Sequence, residues 1–247
     1  MNNPVFWTDP TGMSIEPPGD YYGKNGNWLG KDKYNDNKVY LADAVTKGKD
    51  GLVTSAKNIQ TLSVSHSEFR QQAATVYAES SAYKMNSVTD ELQKEMYSIA
   101  SVHQKNELAY GANSSKASEY LGLTPSQINK SSFKMTANAA VINAITGGID
   151  YSNGATMWDG KEQGLFPESN NNRSVEYKGR SFELHMNTMG WNISDGHFKT
   201  WKGNIGKDFI APQQKAAPAN FGNYKNKGRI RLQSTAVYGE TIFWRQK

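Results

Sequence analysis

The chain has 247 residues, 37% hydrophobic and 11% aromatic, which is enough apolar side chain to bury a sizeable core. It contains no cysteine, so a disulfide framework, a thiolate nucleophile and a cysteine metal site are all excluded. A formal charge of +5 suits an anionic partner, either the cell wall or a nucleic acid, and no run approaches the ~20 apolar residues needed to span a bilayer.

Residues 1 to about 50 are rich in Gly, Asn, Asp and Pro, with short extended pieces expected at 27–30 and 38–42. This reads as a lead-in segment over 1–60, followed by one domain over 61–247. The N-terminus has no basic region followed by an apolar one, so export is expected to use another signal or a carrier. From residue 65 the periodicity turns helical. Phe69, Ala73, Val76 and Tyr77 fall at i, i+4, i+7 and i+8 on one face, with Ser65 or Ser67 as N-cap. Glu79 follows at the end of that helix, near its apolar face. A half-buried carboxyl there has its charged form disfavoured and can hold a proton near neutrality, as a general acid must.

Two further helical stripes follow, Leu92, Met96, Ile99, Ala100 and His103, then Ala137, Ala140, Val141, Ala144 and Ile145. Between them Thr124 reads as a cap with Pro125 in the first helical position. The last helix is expected over 134–146 and stops at Gly147 and Gly148. The loop beyond it, Ile149 to Gly160, has the composition of a ligand loop. Its glycines let backbone approach a ligand, its Asn and Ser supply donors and acceptors, and Tyr151 and Trp158 offer faces that stack on sugar rings. After Gly160 the pattern has period two, with Phe182, Leu184 and Met186 on one face, then a polar loop region, then two runs over 229–237 and 240–244. The class is α+β.

Carbohydrate cleavage needs a second group beside the acid, and Asp159, Glu162, Asp150 and Glu183 are the carboxylates that could face Glu79; Asp159, next to Trp158, is favoured. Basic residues cluster late, at Lys199, Lys202, Lys207, Lys215, Lys225, Lys227, Arg229 and Arg231, with Trp201, Phe209, Phe221 and Tyr224 interleaved. That mixture serves single-stranded nucleic acid, a glycan or a protein partner, and no nucleic-acid module is recognisable. Among the four histidines, His66 lies at the start of the first helix and His103 on an apolar stripe. His185 and His197, with Asp195 between them, form a weak metal or nuclease candidate.

The segments Val76-Tyr77-Ala78-Glu79-Ser80-Ser81, then the apolar helix around Met96 to Val102, then Asp150-Tyr151-Ser152-Asn153-Gly154-Ala155-Thr156, resemble in order the cell-wall hydrolase family typified by spore-cortex-lytic enzymes. The resemblance covers about residues 65 to 165. It implies a lysozyme-like helical core, beside which the period-two pattern after Gly160 forms a β-rich C-terminal elaboration, and it implies cleavage of the peptidoglycan glycan strand with Glu79 as catalytic acid, Asp159 staying the favoured one of the four carboxylates for the second group. Muramidase, glucosaminidase and lytic transglycosylase chemistry all remain open. The cleft would be lined by Tyr77, Ser80, Ser81, Asp150, Tyr151, Ser152, Asn153, Gly154, Ala155, Thr156 and Trp158. No cofactor, metal, nucleic-acid partner or membrane insertion is expected. The chain departs from the family at Ala82, where a glycine is usual, and at Gln104, Lys105 and Asn106, in place of an Asn-Arg pair. A second likeness, Asn3-Pro4-Val5 with Thr8-Asp9-Pro10-Thr11-Gly12-Met13, is similar to the end of an Rhs-repeat core. It implies an antibacterial effector toxin delivered to the periplasm or cell wall of a target cell, with a cognate immunity protein in the producer. The alternatives are a non-catalytic cell-wall or protein-binding module and a metal-dependent nuclease toxin.

Overall fold

Short strands precede and follow a run of helices built on apolar stripes, giving the α+β class expected. The structure is a computed structural model that describes residues 19–106, 114–161, 174–177, 180–183, 188–209 and 230–246. By backbone contacts the chain divides into two units, residues 1–77 with 111–148, and 78–110 with 149–247.

In the first unit a four-stranded sheet runs in the order β2-β1-β3-β6, from β1 (Asp20–Tyr22), β2 (Trp28–Lys31), β3 (Lys38–Leu41) and β6 (Gln60–Ser65). β1 pairs parallel with β3, setting Asp20 opposite Val39, while β2 and β6 add antiparallel at the edges. Since β6 pairs with β3, the expected lead-in shares a sheet with the residues that follow it. A hairpin of β4 (Ala44–Lys47) and β5 (Val53–Lys57) lies between. Alternation along β1 feeds two cores. Tyr21 stacks on Tyr40 at 4.8 Å in a cluster with Ala42 and Val53, while Tyr22 meets Phe69 of the first helix at 4.8 Å.

That helix, α1 (His66–Glu79), starts with a capping box: Ser65 Oγ accepts from the Glu68 backbone N–H at 3.2 Å, and the Glu68 carboxylate accepts from Ser65 N–H at 2.9 Å. Two short helices follow in this unit, α3 (Ser115–Leu121) and α4 (Pro125–Ile128), the latter opened by the expected Thr124 cap with Pro125 at its start. Arg70 donates to the carbonyls of Leu121 and Leu123 at 2.9 and 2.6 Å, neutralising the C-terminal end of α3. α5 (Ser132–Ile145) buries Ala137, Ala140 and Val141 of the expected stripe together with Lys134, Asn138, Ala139 and Ile142, while Ala144 and Ile145 are half-buried. Asn138 accepts from the Tyr120 hydroxyl and donates to the Gly26 carbonyl at 2.9 Å. Gly26 sits at φ 81° with its missing Cβ 2.0 Å from the Met135 carbonyl, so only glycine fits there.

In the second unit α2 (Asp90–Asn106) buries Leu92, Met96, Ile99 and Ala100, the expected stripe. Its sheet runs β10-β11-β12-β7, from β7 (Met157–Asp159), β10 (Thr188–Asn192), β11 (Ile230–Tyr238) and β12 (Thr241–Gln246). β11 and β12 form a hairpin turning at Gly239, and β12 pairs antiparallel with β7, placing Phe243 opposite Trp158. A separate hairpin joins β8 (Ser174–Tyr177) to β9 (Arg180–Glu183), which takes in Phe182, whereas Leu184 and Met186 lie outside the described residues. The region expected as polar loop contains a helix, α6 (Asp195–Ile205), capped by Ser194. Trp201 and Ile205 bury one side of it, and the Trp201 indole donates to the Glu240 carbonyl at 2.9 Å. No helix among the described residues is long and apolar enough to cross a membrane.

Candidate active site

Glu79 is the last residue of α1, where the unsatisfied helix carbonyls carry partial negative charge that disfavours a second negative charge. Its side chain keeps contact with solvent, yet enough protein surrounds the carboxyl for burial to raise its pKa above the ordinary glutamate value. A hydrogen bond from the Trp158 indole acts in the opposite direction and is the smaller effect. Helix end and strand β7 thus deliver two of the expected site residues to each other.

The chain leaves α1 through Ser80, buried and extended, whose Oγ accepts from Ala82 N–H at 3.5 Å and opens a 3-10 turn over Ser81–Lys84. Ala82 is itself buried, so the methyl group that replaces the usual glycine is accommodated inside. Tyr77 makes its described contacts in the first unit. Its ring lies 4.7 Å from Lys134 Nζ and 6.2 Å from the Tyr120 ring. Burial works against the Lys134 charge, but Glu119 at 2.9 Å and Tyr77 outweigh it and hold the ammonium pKa above its usual value.

The loop after α5 is organised by Asp150. Its carboxylate accepts from Ser152 N–H at 2.9 Å, Ser152 Oγ at 2.5 Å, Gly154 N–H at 3.1 Å and Lys105 Nζ at 2.6 Å. Burial would raise this carboxyl, but Lys105 and Ser152 overcome it and hold the pKa below the usual carboxylate value. Asn153 (φ 54°) and Gly154 (φ 79°) make a left-handed turn, and Asn153 Nδ2 donates to the Thr235 carbonyl at 3.1 Å. Ser152 and Ala155 are fully buried. Thr156 N–H donates to the Trp244 carbonyl at 2.7 Å, and its own carbonyl accepts from Asn106 Nδ2. Lys105 and Asn106, two of the departures from the expected pattern, are therefore the residues that tether this loop to the end of α2. The Tyr151 and Tyr97 rings meet in a T-shaped contact with centroids 6.1 Å apart, and the Tyr151 carbonyl accepts from the Tyr238 hydroxyl at 3.1 Å.

Asp159 follows Trp158 on β7, so the pleat turns it to the opposite face of the strand. The residue is 6% exposed, and its carboxylate accepts from the Trp244 indole at 2.8 Å. The structure thus brings Glu79 and Trp158 together and turns the favoured second carboxylate away. Of the other candidates, Asp150 is committed within its loop, Glu183 ends β9, and Glu162 lies outside the described residues.

One carboxylate that sequence reasoning passed over lies in the same unit. Glu95 of α2 is completely buried; it accepts from Ser81 Oγ at 2.9 Å, Ser81 N–H at 3.1 Å and Thr241 Oγ1 at 2.6 Å. Burial pushes its pKa up to about 7 against those three bonds, with the nearby Glu240 charge adding to the rise. The signal was present: position 95 falls three residues after Leu92 and four before Ile99, on the apolar stripe.

The histidines occupy separate settings. His66 Nδ1 lies against the buried Asp20 carboxylate without the alignment of a hydrogen bond. Burial lowers the pKa of His103 on α2. His197 is in the first turn of α6, pairs through Nδ1 with Ser234 Oγ at 2.9 Å and is likewise lowered by burial. His185 lies outside the described residues, as do residues 3–13 and the basic and aromatic cluster over 215–229. Among the described residues no three of His, Cys, Asp or Glu are grouped to hold a metal ion. No protein-family model, curated protein or solved structure matches this chain.

Proposed function

We propose that this protein cleaves the glycan strand of peptidoglycan, with Glu79 as general acid. The observation that carries the reading is the Glu79 carboxyl itself, solvent-accessible at a helix end, raised in pKa by its surroundings and held by the Trp158 indole. Such a group keeps its proton at a higher pH than an ordinary glutamate and can pass it to the glycosidic oxygen as the C–O bond breaks. With Asp159 turned to the far face and Asp150 occupied by its loop, Glu79 carries the second proton transfer as well. As a carboxylate it takes the proton from the oxygen that attacks the oxocarbenium-like centre, whether that oxygen belongs to water or to a hydroxyl of the sugar. Tyr151 and the left-handed turn at Asn153 and Gly154 supply a stacking face and close backbone approach of the kind sugars use.

A lysozyme-like core is part of this proposal. Its support is the chain order: a helix ending in a glutamate, a buried second helix, then the loop from Asp150 to Thr156. The likeness of residues 3–13 to an Rhs-core end extends it to an antibacterial effector that reaches the cell wall of a target cell and is neutralised in the producer by an immunity protein. The test is release of soluble muropeptides from purified peptidoglycan, with mass spectrometry of the products: reducing ends identify hydrolysis, anhydro ends identify lytic cleavage. The commitment of Asp150 and Asp159 also favours a second reading, a wall-binding module without catalysis, which predicts retention on peptidoglycan with no release.

A further inference from the structure

Glu95 makes no use of solvent and is not needed to donate a proton to substrate, so its burial requires another account. Its three hydrogen bonds reach two different elements. Ser81 N–H and Oγ lie in the turn that begins two residues after Glu79, and Thr241 Oγ1 opens strand β12. β12 pairs with β7 so that Phe243 stands opposite Trp158, the residue whose indole bonds Glu79. The connections close a ring: from Glu79 through Ser80 and Ser81 to Glu95, from Glu95 to Thr241 and along β12, across to Trp158, and back to Glu79.

The surroundings of Glu95 are built to the same end. The missing Cβ of Gly239 would lie 2.8 Å from Ser81 Oγ and 3.0 and 3.1 Å from the two Glu95 carboxyl oxygens, so the β11–β12 turn needs glycine to approach this closely. Gly239 N–H donates to Glu91 at 3.1 Å, and the Gly239 carbonyl accepts from Asn204 of α6 at 2.6 Å. Glu240, the charge nearest to Glu95 on the turn, is itself paired with Lys84 and Lys161. Oε1 accepts from both hydroxyls and Oε2 from Ser81 N–H, so losing either hydroxyl removes one of the two bonds to Oε1 inside a low-dielectric interior.

We propose, resting on the function proposed above, that Glu95 is the positioning residue of this site, fixing the Glu79 segment and the Trp158-bearing sheet in one relation. The geometry assigns it no contact with substrate; it acts through Ser81 and Thr241. In the full chain, Glu95→Gln keeps the side-chain volume but fixes an amide that cannot ionise, so that with its oxygen on Ser81 N–H its NH2 group reverses the direction of both hydroxyl bonds.

The experiment is a carboxyl carbon NMR titration of Glu79 in the wild type, Glu95→Gln, Ser81→Ala and Thr241→Val, paired with steady-state kinetics on peptidoglycan. The expected result is that the raised Glu79 pKa moves back toward the ordinary glutamate value in Glu95→Gln and, to a lesser degree, in the other two. Misplacing the acid lowers kcat on the order of 100-fold, with KM changed by less than about threefold, because substrate binding is left in place. A Glu79 titration identical to wild type in a cooperatively folded Glu95→Gln protein overturns the proposal and leaves Glu95 a purely structural residue. Should Glu95→Gln not fold, Ser81→Ala decides in the same way, since it removes only one hydroxyl. The titration needs no substrate: a wild-type protein that releases no muropeptides sinks the functional reading, while the shift in Glu79 separately tests the positioning role.

Discussion

Glu68 and Glu79 stand near opposite ends of α1, and their surroundings push them in opposite directions. Glu68, in the first turn, accepts from Ser65 Oγ and Ser65 N–H, and these two bonds hold its pKa below the usual value. Exposed N–H groups at that end favour the negative charge. Glu79, in the last turn, meets carbonyl ends, surrounding protein and one indole donor, and its pKa rises. Two glutamates of one helix are thereby set apart: the first is a cap whose ionised form is favoured, the second a carboxyl that holds its proton to higher pH than an ordinary glutamate. Asp150 belongs with Glu68, saturated with donors and depressed in pKa, which marks it as the organiser of its loop.

The contrast is broken most severely at the acid. Glu79→Gln removes the transferable proton while keeping the shape, so cleavage falls by roughly 10²–10⁴-fold, with the thermal unfolding midpoint equal to or above that of wild type because a charge at the helix C-terminus is removed. Next in size is the pH dependence of stability that Glu95 imposes. In the native protein its carboxyl holds a proton up to about 7, and in the unfolded chain it releases it near 4.5. Between those values the native state binds more protons, so this contribution to stability declines as pH rises through the window. Chemical unfolding across that range shows the decline in wild type and a flatter profile in Glu95→Gln; equal slopes would contradict the assignment.

A smaller effect is expected where the loop meets α2. Lys105→Ala removes a partly exposed ion pair worth about 1 kcal/mol or less, and it loosens the 150–154 turn enough to raise KM on peptidoglycan while kcat is retained. Smallest for activity is the other end of α1. Ser65→Ala costs about 1 kcal/mol of stability and leaves cleavage unchanged. Because the Glu68 pKa is depressed, the stability it contributes is present above the unfolded-state value and is lost as pH falls through the native one. Urea unfolding at two pH values checks both statements.

The helices were the most legible part of the chain. Phe69, Ala73 and Val76 announced α1, Leu92, Met96 and Ile99 announced α2, and the Thr124-Pro125 pair announced α4, since each rests on local spacing or a local cap. The β4–β5 hairpin and β6 were harder to read, because their residues are largely exposed and the polar and apolar alternation is weak. α6 was masked by the polar residues around it, although Ser194 as cap and the Phe198, Trp201, Ile205 spacing were there to be read. At the site, Glu79 and Trp158 could be named from sequence, but the pairing of β7 with β12 could not. The pleat of β7 sets Trp158 and Asp159 on opposite faces, and the pairing brings Asp159 to the Trp244 indole. Glu95 was hidden for a different reason: a glutamate in an amphipathic helix ordinarily faces water, and only the partners brought by Ser81 and Thr241 make its burial sustainable.

The measurement that tests the central claim most directly is muropeptide release from purified peptidoglycan by the wild type and by Glu79→Gln over a range of pH. The account predicts release by wild type that declines on the alkaline side at a pH above the ordinary glutamate range, and none beyond background from Glu79→Gln. Undiminished release by Glu79→Gln, or none from wild type at any pH, would contradict it.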